Sequence, residues 1–203
     1  MLKRILIITL LAISSFQASA QLMKDELRKS LSNEFKDYEI ESILLCMEFL
    51  ENELRTFFNL NEQSEEDPIA MFIEYTEDKY PEFEIPINFS AQQELYQKLN
   101  TYFFIQTWDY GLVTKGEDNT TYISLGFKTD SPLFRYLKKK SKKIGVITGY
   151  LNTLKTVGDI SPSMVGTMAS LIPMGYEKNL ELRILLTLHY LTLNDRTKRR
   201  DRM

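Results

Sequence analysis

Leu180-Glu181-Leu182-Arg183-Ile184-Leu185-Leu186-Thr187-Leu188-His189-Tyr190-Leu191-Thr192-Leu193 is the most apolar segment outside the N-terminal leader, and its reading decides the fold. Advancing about 100° per residue, Leu180, Ile184, Leu188 and Leu191 form one stripe of a helix, while Leu182, Leu186, Tyr190 and Leu193 form a second on the other side. A helix apolar on two sides has to be wrapped by other elements. Burying each large side chain is worth about 1.5–3 kcal/mol, and ordering the segment costs about 1.5 kcal/mol per residue. The two are comparable, so partial cover does not hold such a helix in place.

The segments that provide the cover are mostly helical. Leu27, Leu31 and Phe35 recur at helical spacing, and Ile40, Ile43, Leu44, Met47, Leu50, Leu54, Phe57 and Phe58 continue the pattern, with a break expected between Ser32 and Asp37. Asp67-Pro68, Ser131-Pro132 and Ser161-Pro162 each read as a capping residue followed by proline at the first helical position. Ser90 with Gln93 predicts a capping box and a helix from about Ala91, with Leu95, Leu99, Tyr102 and Phe103 inward, ending before Gly111. Two prolines in Tyr80 to Asn88 predict an extended strap. Leu112-Val113-Thr114 and Thr121 to Leu125 flank a polar loop and predict a small β-hairpin near 112–125. Ile160 is placed as a staple onto Val165, and Pro173 and Gly175 end that helix. The expectation is a mainly α, single-domain bundle of about six helices around a buried C-terminal helix, with the hairpin as an insertion.

The ends of the chain carry addresses rather than core. Lys3 and Arg4, the apolar run Ile5 to Ile13 and the small-residue exit Ala18-Ser19-Ala20 form the three parts of a secretory signal over residues 1–20. The run is about half the roughly 20 residues that span a bilayer, so cleavage after Ala20 is expected, with a mature chain free of transmembrane segments. Of 203 residues, 183 then remain, 21–195 as one domain and 196–203 as a basic, disordered tail. Export implies the periplasm of a bacterial envelope or the extracellular space.

Charge is divided along the chain. Residues 21–100 hold 19 acidic and 7 basic side chains, net −12, and residues 101–203 hold 9 and 16, net +7. The favoured reading is an acidic and a basic layer of one domain attracting each other.

Chemistry-bearing residues are sparse. With one cysteine, Cys46, and one histidine, His189, the chain forms no internal disulfide and lacks the several Cys or His ligands of a typical zinc site. Both sit in apolar contexts that read as core, and neither resembles an activated nucleophile. Glu62, Glu65, Glu66 and Asp67 lack EF-hand spacing and read as a solvated loop. No nucleotide-binding glycine loop and no nucleophile elbow is present, and no cofactor is expected. Lys138, Lys139, Lys140, Lys142 and Lys143 are the candidate contacts for an anionic polymer or a partner protein. On one continuous helix they spread over about 200°, too wide for a single docking face. Either that helix stands clear of the body, or it ends near Lys143 with the lysines complementing its dipole and Gly145 as the break. No aromatic residue interleaves the lysines, and export disfavours nucleic acid as the partner. The functional expectation is an exported, non-enzymatic interaction or accessory protein of a bacterial envelope. The alternative is a carboxylate-dependent hydrolase of an envelope or extracellular polymer, which needs two acidic residues about 5–10 Å apart in a cleft.

Overall fold

The last helix, here α8, runs from Leu180 to Arg200 and is buried on every side over most of its length. The computed structural model describes residues 24–61, 64–80, 82–114, 121–157 and 179–202. Asn179 caps α8, its side chain accepting from the Leu182 backbone N–H at 2.9 Å. Both apolar stripes are inside: Leu182, Ile184, Leu186, Leu188, Tyr190, Leu191 and Leu193 are buried, with only Leu180 at the margin. The two-sided pattern therefore marks a central helix. Its neighbours are the hairpin and the helices that begin at Asp37, Phe89 and Pro132.

Those neighbours form for local reasons. A first helix, α1 (24–31), ends in a turn, and α2 (Asp37–Phe57) begins where the Lys36 backbone N–H donates to Glu39 Oε2 at 2.9 Å. The expected break between Ser32 and Asp37 is there. At its far end, Asn59 takes a left-handed φ of 55°, and the Leu60 N–H turns back to the Arg55 carbonyl at 2.9 Å. Asparagine tolerates that conformation, which is why it ends helices. Helix α3 (Pro68–Lys79) starts at the expected Asp67-Pro68. One Asp67 carboxylate oxygen accepts from the Ile69 and Ala70 N–H groups, and the other accepts from Arg183 at 2.5 Å. Arg183 also reaches Glu51 at 3.3 Å, so one guanidinium on α8 ties α2 and α3 together.

After an extended strap with Ile87 buried, the chain departs from the predicted single helix. It forms α4 (Phe89–Lys98) and α5 (Thr101–Thr107), separated at Leu99-Asn100. The cap of α4 is Asn88, not Ser90. Asn100 accepts from the N–H groups of Tyr102 and Phe103, which begins a new helix in competition with continuing the old one. Tyr102 consequently lies outside at 66 % exposure, while Leu95, Leu99 and Phe103 are buried as expected.

The hairpin is longer than predicted. Antiparallel strands β1 (Trp108–Thr114) and β2 (Thr121–Phe127) pair Trp108 with Phe127, Tyr110 with Leu125 and Leu112 with Ile123. Ser131 then caps α6 (Pro132–Lys140), donation to its hydroxyl coming from the Phe134 N–H at 3.0 Å. A 3₁₀ turn over Ser141–Lys143 leads into α7 (Gly145–Val157), so Gly145 opens a helix. The helix therefore ends within the lysines, and Lys138, Lys139 and Lys140 occupy its last turn, at the negative end of its dipole. The helix expected from Ser161-Pro162, its staple from Ile160 to Val165 and its stop at Pro173 and Gly175 lie outside the described residues.

The whole is mainly helical, with one small antiparallel hairpin and a buried C-terminal helix. Among the described residues no helix is long and apolar enough to cross a membrane. The tail differs from the sequence expectation of disorder from Arg196, because α8 continues helically through Arg200. Asp195, wholly buried, anchors Arg199 one turn later at 2.6 Å and holds those turns in place.

Candidate binding groove

The hairpin has one apolar face that is half inside and half outside. Alternation along β1 places Trp108, Tyr110 and Leu112 on the face they share with Phe127, Leu125 and Ile123. At the base, Trp108, Leu125 and Phe127 are buried. Trp108 Nε1 donates to Thr192 Oγ1 at 2.9 Å, and the Thr192 hydroxyl in turn donates to the Leu188 carbonyl at 2.6 Å. Toward the tip the same face leaves the core: Tyr110 is 49 %, Ile123 50 % and Leu112 76 % exposed.

Beneath this overhang lie the last turns of α8 and the first residue of α4. Between them runs a groove of about 420 Å³, walled by Leu112, Thr121, Tyr122 and Ile123 on one side and by Phe89, Arg199 and Arg202 on the other. The two guanidiniums are held differently. Arg199 Nε donates to Asp195 at 2.6 Å and its Nη2 donates to Gln93 Oε1 at 3.0 Å, while its plane sits 5.0 Å from the Tyr110 ring centre and 5.6 Å from that of Phe89. Burial opposes the Arg199 charge, but the hydrogen bonds and charge of Asp195 outweigh it and hold the group more firmly protonated than usual. The Tyr110 hydroxyl is pushed up first by burial and then by Asp195. Arg202 stands over the Phe89 ring at 4.3 Å, and among the described residues no carboxylate pairs with it. Among the described residues the groove thus offers aliphatic and aromatic walls, the hydroxyls of Thr121 and Tyr122, one guanidinium neutralised by Asp195 and one, on Arg202, with no carboxylate partner.

The lysine run predicted as the contact patch is divided. Lys139 Nζ lies 2.8 Å from Glu34 and Lys140 Nζ 3.7 Å from the same carboxylate, which the Lys139 hydrogen bond holds below its usual range. Lys140 also stands over the Tyr136 ring at 5.7 Å. Lys138 is half-buried and Lys142 exposed, and the Lys143 side chain lies outside the described residues. Part of the run therefore fastens α6 to the turn after α1.

Cys46 and His189 are both core. Burial pushes the Cys46 thiol far up, among Ile43, Met47, Phe103 and Leu188. His189 Nδ1 shares a 2.5 Å hydrogen bond with the Tyr150 hydroxyl, and burial lowers the ring to about 3. Among the described residues its Nε2 is buried without a partner, and no hydrogen bond joins His189 to Cys46. Among the described residues no group of three or more His, Cys, Asp or Glu side chains is placed to hold a metal ion.

Sequence reasoning missed the groove because it read residues beyond Asn194 as a tail. The signal was present in Asp195 and Arg199, a charge pair at i and i+4 that extends a helix. No family model matches the chain, and no curated protein or solved structure matches it either.

Proposed function

We propose that this chain is an exported accessory protein of a bacterial envelope that acts by binding rather than by catalysis, through the groove between the hairpin tip and the end of α8. The observation that carries the reading is the apolar overhang of Leu112, Ile123 and Tyr110, which keeps large side chains in water above a concave site. Exposure of that kind is a standing liability unless something is bound there. Export rests on Lys3, Arg4, the run Ile5 to Ile13 and Ala18-Ser19-Ala20. The hydrolase alternative gains no support from this groove, whose walls among the described residues carry guanidiniums and no carboxylate.

The test places a photo-crosslinking side chain at Leu112 in the full-length protein expressed in a Gram-negative host, with an otherwise identical protein labelled at Lys155. A discrete adduct from position 112 alone, on protein whose intact mass begins at Gln21, is the expected result. Identical behaviour at both positions, or retention of the leader in the cytoplasm, overturns the reading.

A further inference from the structure

The groove's lining defines its occupant more closely than a generic apolar patch would. Its walls near the mouth are Leu112, Ile123 and Phe89, its volume is about 420 Å³, and Arg202 stands at its edge with no carboxylate partner among the described residues. Small-ligand sites occupy about 300–1,000 Å³, are mainly apolar and carry a few polar groups that orient the ligand. This groove sits at the narrow end of that range.

Three occupants compete. A second copy of the chain, docked groove to groove about a two-fold axis, would bring Arg202, which has no carboxylate partner among the described residues, toward its own equivalent, a repulsive arrangement. A peptide would carry a backbone N–H and C=O at every residue into walls that offer only the hydroxyls of Thr121 and Tyr122 and the guanidiniums, leaving most of those groups without protein partners. A single aliphatic chain ending in an anion brings no polar group except its head. The basic end of α8, with Lys198, Arg199, Arg200 and Arg202 against Asp195 and Asp201, favours that head being negative.

We infer that the groove binds a free long-chain carboxylate, its hydrocarbon tail between the hairpin tip and Phe89 and its head on Arg202. The inference rests on the binding reading above and specifies its ligand. The head is held by Arg202 alone, because Arg199 is already committed to Asp195 and Gln93. Arg199 acts instead as a fixed wall, stacked between Tyr110 and Phe89.

The experiment is calorimetric titration of the full chain with dodecanoate below its critical micelle concentration, beside dodecanol and vesicles of phosphatidylglycerol. Wild type is expected to prefer dodecanoate over dodecanol by about tenfold, the usual scale for a hydrogen bond to a charged group. Arg202→Gln should bring the two ligands to near parity with an unchanged melting temperature. Leu112→Ser with Ile123→Ser should weaken both. Absence of dodecanoate binding overturns the inference, as does an unchanged preference in Arg202→Gln, binding to vesicles alone, or a dimer in sedimentation that masks the groove. If dodecanoate fails while the Leu112 crosslink still captures a discrete partner, this ligand is wrong and the binding reading survives. If both fail, both fall.

Discussion

Two neighbouring buried residues of α8, His189 and Leu188, set the clearest expectations for single side chains. His189 is kept neutral by burial, which lowers its pKa from the ordinary imidazole value of about 6.5 to about 3. Below about pH 6.5 the unfolded chain therefore binds a proton that the folded chain excludes, and stability falls with pH until about pH 3, by up to about 1.4 kcal/mol per pH unit. Between pH 7 and pH 5, urea midpoints should show wild type losing about 2 kcal/mol more than His189→Gln. Equal losses would mean that the ring is solvated. Leu188 is buried on the same helix. Leu188→Asp places an unpaired charge there, at a cost of several kcal/mol against a domain stability of about 5–15 kcal/mol. A cooperative thermal transition like that of wild type would show that the helix is not central. The core roles of Cys46 and His189 were legible from apolar neighbours alone. The Tyr150 hydroxyl on His189 was not, because a contact across 39 positions leaves no mark on local periodicity.

At the scale of elements, what could be read was set by how many residues competed for one role. Asp67-Pro68 and Ser131-Pro132 each have one candidate cap, and both helices begin there. Asn88 and Ser90 compete two residues apart, and tertiary contacts decide. Gln93, needed to reach back to Ser90, instead donates to Asp195 at 2.9 Å. Its neighbour Gln92 is wholly buried, giving a hydrogen bond to the Leu191 carbonyl at 2.6 Å and receiving one from Asn194. The division between α4 and α5 rests on Asn100, so Asn100→Ala should destabilise the protein by about 1 kcal/mol, read as a shifted urea midpoint at unchanged slope. A neutral result would assign the break to packing of Leu99 and Phe103 instead. The extension of α8 beyond Asn194 escaped a pattern of apolar residues because its support is polar, the clamp of Asp195 on Arg199.

Across the molecule, the division into an acidic and a basic half becomes a set of cross-chain pairs. Arg183 meets Glu51 and Asp67, Lys139 and Lys140 meet Glu34, and Lys198 lies 4.0 Å from Glu84. Their burial differs, and so should their worth. Arg183 is 13 % exposed and Lys139 63 %. Lys139→Gln should cost under about 1 kcal/mol and fade further in salt, whereas Arg183→Gln, less exposed, takes the arginine from Asp67 and leaves Glu51 with Arg55 alone, and should cost more. Urea melts at low and high ionic strength separate the two, and equal effects would reduce Arg183 to a surface charge. The helical class and the central helix were legible because they follow from burial pattern. The groove was not, since it is made by residues from three elements that only the assembled fold brings together.

The position of α8 in the chain has a consequence for biosynthesis. Every element described here that packs on it is synthesised earlier, yet none of them can close the core until Leu193 has left the ribosome. The nascent chain should therefore stay open and protease-sensitive until α8 has been made. For the exported protein proposed above, that delay would keep the chain able to thread a membrane pore until α8 is made.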